Sequence, residues 1–210
     1  MITAYITNAG KYGEGFLYSQ PLKLPATQES LQNCLKQIKL DGKHYEEYFI
    51  SEYESDISGL AQCLPEFADI DELNFLAALI DDLDDSEKEV FMAAIQAEEY
   101  TGSIAELINL VQNLDCYSIY PEIQEQEELG RYYIDELESL TIPDNLYNYF
   151  DFEAYGRDMC INENGEFTKW GYIFNNRSKF IKYYDGKVPD EYKIFQFPEQ
   201  CKKRTDRDAR

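Results

Sequence analysis

Histidine occurs once in this chain, at His44. One histidine leaves no HExxH zinc site, and no Ser–His–Asp set can be placed around it. Cys–His catalysis would have to use His44, which stands at a strand entrance with no placed partner and is read as a surface residue. Cysteine is sparse and scattered, at Cys34, Cys63, Cys116, Cys160 and Cys201, with no CxxC spacing. Such an odd set points to reduced thiols in a cytoplasm and away from a zinc site. No apolar run approaches the roughly 18 residues of a membrane span. Met1 to Gly10 lacks the basic start and apolar core of a signal peptide. Gly10, Gly13 and Gly15 are followed by no GxxxxGK[ST], so they are read as a hairpin-like turn with no helix starting there.

The largest deficit is of basic residues. Between Lys43 and Arg131 the only Lys or Arg is Lys88, set against 23 Asp and Glu. The stretch carries a net charge of −22, equal to the formal charge of the whole chain. Salt bridges cannot neutralise such a run, so its carboxylates must face water, cations or a strongly basic partner. Solubility asks for only about 2–8 net charges in a small domain. The acids are also spread over several predicted elements instead of a tail. An ordered carboxylate array of this density resembles duplex DNA, which carries a charge about every 1.7 Å of axis.

Apolar residues at 44% can build cores, and 18 tyrosines suit thin domains with much surface. Ile2–Thr7 and Phe16–Leu24 read as strands. Thr27 caps a helix to about Leu40, with Leu31, Leu35 and Ile38 on one face. Glu47–Glu54 alternates as a strand, closing a ββαβ unit. From Gly59 to Leu114 the period is helical. Leu73, Leu76, Ala77, Ile80 and Leu83 share a face, and Asp81, Asp82, Asp84 and Asp85 close that helix against its dipole. Ser86 with Glu89, and Ser103 with Glu106, read as capping boxes for the next two helices.

Beyond Asp115, Cys116–Tyr120 reads as a strand and Glu122–Leu137 as a helix with Leu129, Tyr133 and Leu137 inward. A further helix follows Pro143. Asn164-Gly165 is a hairpin signal, with Trp170–Phe174 as the partner strand. Residues 161–210 then turn mildly basic, with 11 Lys and Arg against 8 acids. Cys201–Arg210 is expected to be disordered; a polybasic tail of this kind can touch nucleic acid or a membrane, but more often folds back on an acidic body. The expected fold is α+β: an N-terminal α+β domain (1–58), a helical domain (59–114), a C-terminal α+β domain (115–174) and an additional, partly disordered tail (175–210).

Calcium is the one metal chemistry to weigh, at Asp81, Asp82, Asp84, Asp85 and Glu87. The stretch lacks the central Gly of an EF-hand loop and holds Leu83, so no dedicated site is expected.

Three stretches resemble a known family. They are Tyr5-Ile6-Thr7-Asn8-Ala9-Gly10-Lys11-Tyr12-Gly13-Glu14-Gly15, then Tyr45-Glu46-Glu47-Tyr48-Phe49-Ile50-Ser51-Glu52-Tyr53-Glu54, then Tyr147-Asn148-Tyr149-Phe150-Asp151-Phe152-Glu153-Ala154-Tyr155-Gly156-Arg157-Asp158. Together, with Arg131-Tyr132-Tyr133-Ile134 upstream of the last, they are similar to the ArdA antirestriction proteins over about residues 1–174. The resemblance implies three small domains in an elongated row, a homodimer joined through the third, and a bent acidic rod that mimics B-DNA. The implied partner is the DNA-binding groove of a type I restriction–modification enzyme, inhibited by occupancy, without catalysis, cofactor, metal, membrane or direct nucleic-acid binding. A nucleoid protein, a repressor or a CRISPR nuclease is the alternative target.

The candidate phosphate stand-ins are Glu46, Glu47, Glu52 and Glu54 in the first domain. In the helical domain they are Asp69, Asp71, Glu72, Asp81, Asp82, Asp84, Asp85, Glu98 and Glu99. In the third they are Glu125, Glu127, Glu128, Asp135 and Glu138. Any single one is as well explained as a solvated helix face, because exposed charges act collectively. Tyr147, Tyr149, Phe150, Phe152 and Tyr155 are read as core or dimer contacts, and Arg157 as a structural partner of a nearby carboxylate.

Overall fold

The computed structural model describes residues 1–198. In chain order it runs β1 (Ile2–Asn8), α1 (Ala9–Gly13), β2 (Ser19–Leu24), α2 (Gln28–Gln37), β3 (Tyr48–Ser55), α3 (Leu60–Cys63), α4 (Ile70–Asp81), α5 (Asp85–Gln96) and α6 (Ile104–Val111). It continues through β4 (Tyr117–Tyr120), α7 (Gln126–Arg131), a π-helical turn (Tyr132–Glu136), α8 (Asp144–Tyr147), α9 (Phe152–Glu163), β5 (Glu166–Thr168) and β6 (Gly171–Asn175). The expected α+β class is observed. By contact the chain divides into two compact units. One comprises Met1–Asp56, Leu64–Asp81 and the segment starting at Lys187; the other comprises Ile57–Cys63 and Asp82–Gly186. The helical stretch is therefore shared: α4 belongs to the first unit, α5 and α6 to the second.

In the first unit an antiparallel sheet runs β2-β1-β3. β1 is central and buries Ile2, Ala4 and Ile6, while α2 buries Leu31, Leu35 and Ile38 on its helical period. Thr27 caps α2, its hydroxyl accepting from the Ser30 N–H. The glycine-rich stretch corrects the expected turn: α1 starts at Ala9 because Asn8 caps it, its Oδ1 accepting from the Lys11 N–H at 2.9 Å. The Asn8 amide also donates to the Ile38 carbonyl at 3.0 Å, satisfying an orphan group at the end of α2. The alternation of β3 is broken where Tyr5 pairs with Glu52 but Ile6 with Ile50, so Ser51 is an extra residue and Phe49 and Ile50 are both buried.

In the second unit a sheet runs β4-β6-β5, with Tyr172 of the central strand fully buried beside Ile123 and Leu129. α7 and α9 pack closely against each other. A Cβ at Gly156 would stand 1.8 Å from the Gln126 carbonyl oxygen, and one at Gly130 would stand 2.0 Å from that of Phe152. The long helix expected over Glu122–Leu137 is in fact α7 and then a π-helical turn, closed by Leu137 N–H to the Tyr132 carbonyl at 3.1 Å. The wider turn shifts the helical phase, so Ile134 is buried and Leu137 is 49% exposed. Asn164-Gly165 is a helix end instead of a hairpin turn: Asn164 is left-handed (φ 54°), and the Gly165 N–H reaches the Cys160 carbonyl at 3.0 Å. The hairpin turns directly after β5, through Lys169 and Trp170 between Thr168 and Gly171.

Candidate functional site

The candidate acids fall into four groups, three of them set by a local device. On β3, an edge strand, Glu52 and Glu54 are exposed, and the Tyr5 hydroxyl donates to Glu54 at 3.0 Å. That contact raises the tyrosine pKa, since ionisation would set two anions side by side. Glu46 and Glu47 lie exposed in the approach to the strand.

Helix starts hold a second group. Asp69 accepts the N–H groups of Asp71 and Glu72 at 2.7 and 3.2 Å, and Asp71 and Glu72 fill the first turn of α4. The cluster 81–85 corrects the sequence reading. Asp81 ends α4, but Asp84 caps α5: its Oδ1 accepts from Glu87 N–H at 2.8 Å while Glu87 accepts from Asp84 N–H at 2.9 Å. The capping box is thus Asp84 with Glu87, two residues before the expected pair, because Ser86 spends its hydroxyl on Asp84. Asp84 and Asp85 sit at the positive end of a helix dipole, so the argument that they oppose it fails for these two. Backbone N–H donation from Glu87 lowers the Asp84 pKa.

A third group is engaged sideways in the second unit. Glu99 accepts from the Tyr117 hydroxyl at 2.8 Å, and Asp135 accepts from the Tyr147 hydroxyl at 2.8 and 2.9 Å. Glu127 pairs with Arg131 at 2.7 Å, and Glu128 accepts from the Gln124 N–H at 2.7 Å. Asp71 is engaged in the first unit, where its Oδ1 accepts the N–H groups of Ile194 and Phe195, each at 2.7 Å.

The fourth group has no such device. Among the described residues the carboxylates of Glu46, Glu47, Glu52, Asp81, Asp82, Asp85, Glu98, Glu125 and Glu138 make no hydrogen bond or ion pair, and all nine residues are exposed. These carboxylates are free to meet a cationic partner, whereas the engaged ones keep part of their capacity for the fold.

The aromatic run around α9 is mixed. Phe152 is buried, with Tyr147 and Phe150 ring centres 5.1 and 5.0 Å away and the Arg131 guanidinium 4.3 Å from its ring centre. Phe150 packs on Tyr155 at 5.6 Å, whereas Tyr149 is 85% exposed. Arg157 lies 3.7 Å from Asp158, a loose pair between exposed neighbours.

Nucleophile chemistry finds little support. His44 lies on Asp41 at 2.8 Å in a turn, Asp41 also accepting the N–H groups of Lys43, His44 and Tyr45. Burial raises the pKa of the Cys34 thiol to about 11 and also raises that of Cys63, which keeps both protonated at neutral pH. Among the described residues no group of three His, Cys, Asp or Glu could hold a metal ion, and no helix is long and apolar enough to cross a membrane.

The buried asparagines Asn74, Asn109 and Asn113 went unremarked in the sequence. The signal was there for two of them: polar residues spaced by four inside the apolar run Ile104–Leu114.

Fold and surface together define an acidic α+β protein whose carboxylates are carried on helices, an edge strand and the turns between them. The antirestriction protein (ArdA) family model matches residues 4–174, and the chain belongs to that family. No curated protein matches the chain significantly. The match ends at Phe174, so the segment from Asn175 on lies outside it.

Proposed function

We propose that the chain is a DNA-mimicking inhibitor that occupies the DNA-binding groove of a type I restriction–modification enzyme, without catalysis and without touching nucleic acid itself. The carrying observation is the run of 23 acids against one base in residues 44–130, spread over helices, strand β3 and the turns between them. A DNA groove is lined with Lys and Arg that normally displace counterions from phosphates. Carboxylates already fixed by folding can meet the same cations at little further ordering cost. They offer no base edges, so inhibition is independent of recognition sequence. The homodimer reading, through segment 115–174, is supported by the exposure of Leu137, Leu140, Leu146, Tyr149 and Ile161. On this reading the inhibitor works in the cytoplasm on behalf of a mobile genetic element.

The test is competition between this protein and labelled duplex DNA for a purified type I methyltransferase core, at several salt concentrations. Stoichiometric displacement that weakens with salt is the expected result. No displacement at low salt by a folded protein removes this target. A nucleoid protein, a repressor and a CRISPR nuclease are then the basic proteins to assay.

A further inference from the structure

Asn109 lies in the last turn of α6 and Asn113 two residues beyond its end, and both are buried. Buried asparagine is costly in a helix unless its amide is fully used. Here each amide nitrogen gives one hydrogen to the carbonyl four residues back: Asn109 to Ala105 at 2.8 Å, Asn113 to Asn109 at 2.7 Å. That bond fixes the amide plane and leaves one N–H and the oxygen facing outward. Both are taken by a single backbone residue of the segment beyond the family match. Asn113 donates to the Ile181 carbonyl at 2.9 Å and accepts from the Ile181 N–H at 2.8 Å. Asn109 does the same with Tyr184, at 3.0 and 2.9 Å. Each side chain thus pairs with the chain as a neighbouring β-strand would. The segment is anchored further by Phe180, stacked on Tyr100 with ring centres 4.1 Å apart, and by the buried Tyr184.

We propose that Asn109 and Asn113 form a backbone-reading site for a peptide segment, whose ligand is the chain's own turn Ile181–Tyr184. The site makes a segment outside the family-matched region an integral part of this fold. Backbone is what the asparagines read, so the side chain at position 181 is free to vary, and Ile181 is indeed 41% exposed. The inference is independent of the proposed inhibitory role.

Amide hydrogen exchange on the full chain tests it. In the unmodified protein the Ile181 and Tyr184 amides are expected to exchange at least roughly tenfold more slowly than that of Lys182, which neither asparagine reaches. Equal rates for the three amides overturn the proposal. In Asn109→Ala the Tyr184 amide is expected to speed up by roughly tenfold, the effect of one lost buried pairing. Ile194 and Phe195, held in the first unit by Asp71, serve as the internal control and are expected to keep their protection. An unchanged Tyr184 rate, or equal release of Tyr184 and the two control amides, overturns the local site.

Discussion

Gly156 and Gly130 face each other where α9 crosses α7, so closely that a Cβ built on Gly130 would lie 3.1 Å from the Gly156 backbone nitrogen. The family stretch ending in Tyr155-Gly156-Arg157-Asp158 therefore contains a steric requirement of the fold. Phe152 and Gly156 are the buried residues of α9, and the Arg131 guanidinium of α7 lies over the Phe152 ring.

Gly156→Ala is expected to destabilise the second unit by about 3 kcal/mol or more, because backbone must move to admit the methyl group. Chemical denaturation measures it. An alanine variant within about 0.5 kcal/mol of the parent would refute the crossing.

Asp84→Ala is expected to lower Tm by several degrees, and Asp82→Ala to leave it nearly unchanged, because only Asp84 closes a capping box. The folded pKa of Asp84 is lowered, so its contribution is present above the ordinary value of 3.8 and fades as pH falls through the folded value. The difference in Tm between parent and Asp84→Ala should accordingly shrink in acid. Equal Tm losses for the two alanine variants at neutral pH would count against the assignment.

At the alkaline end, Tyr133 and Tyr172 both donate to Glu163, the latter at 2.8 Å. Burial is the main cause that raises both tyrosine pKa values, and the Glu163 contact adds to it. Each group stabilises the fold fully below the ordinary tyrosine pKa of 10.0, and that contribution is lost as pH rises from there through the folded values. Tyr172→Phe should therefore flatten the fall of Tm above pH 10, where the parent's declines steeply. An unaltered alkaline limb would exclude Tyr172 as a contributor.

Charge reversal separates surface from scaffold among the acids. Asp81→Lys, Asp82→Lys and Asp85→Lys together are expected to weaken competition with DNA by roughly tenfold or more at low salt while the fold persists, since these carboxylates have no partner among the described residues. Asp135→Ala is expected to lower Tm through the lost Tyr147 contact and to change competition far less. The pair of readouts, displacement and Tm, distinguishes the roles; the opposite pattern would move the target surface to the third segment.

Much of this was legible in the sequence, for physical reasons that differ by element. Leu31, Leu35 and Ile38, and Leu73, Leu76, Ala77 and Ile80, repeat at helical spacing, so α2 and α4 followed from their buried faces. α9 did not, because a helix packed through glycine shows little apolar period, and Asn164-Gly165 then read as a hairpin when it terminates that helix. Position 84 shows the limit for the site. Charge density marked 81–85 correctly as acidic, but whether a given aspartate faces a partner or caps its own helix depends on where the helix starts. A two-residue shift of that start exchanges the roles of Ser86 and Asp84. The hydrogen bonds of Asp71 to residues 194 and 195 span more than 120 positions of chain, beyond the reach of any local pattern.

The two outer strands of the first sheet end its hydrogen bonding in different ways. β2 presents Pro21, opposite Tyr5, and a proline has no N–H to offer a further strand. β3 presents Glu52 and Glu54, whose mutual repulsion would greet any second copy laid alongside. Those two acids therefore also act as gatekeepers against edge-to-edge aggregation, whatever a target does with them. Neutralising them should cost yield and monodispersity in concentrated solution, a penalty that Asp82 on its loop does not share. Loss of inhibition in a Glu52 or Glu54 variant thus acquires meaning only beside a light-scattering trace.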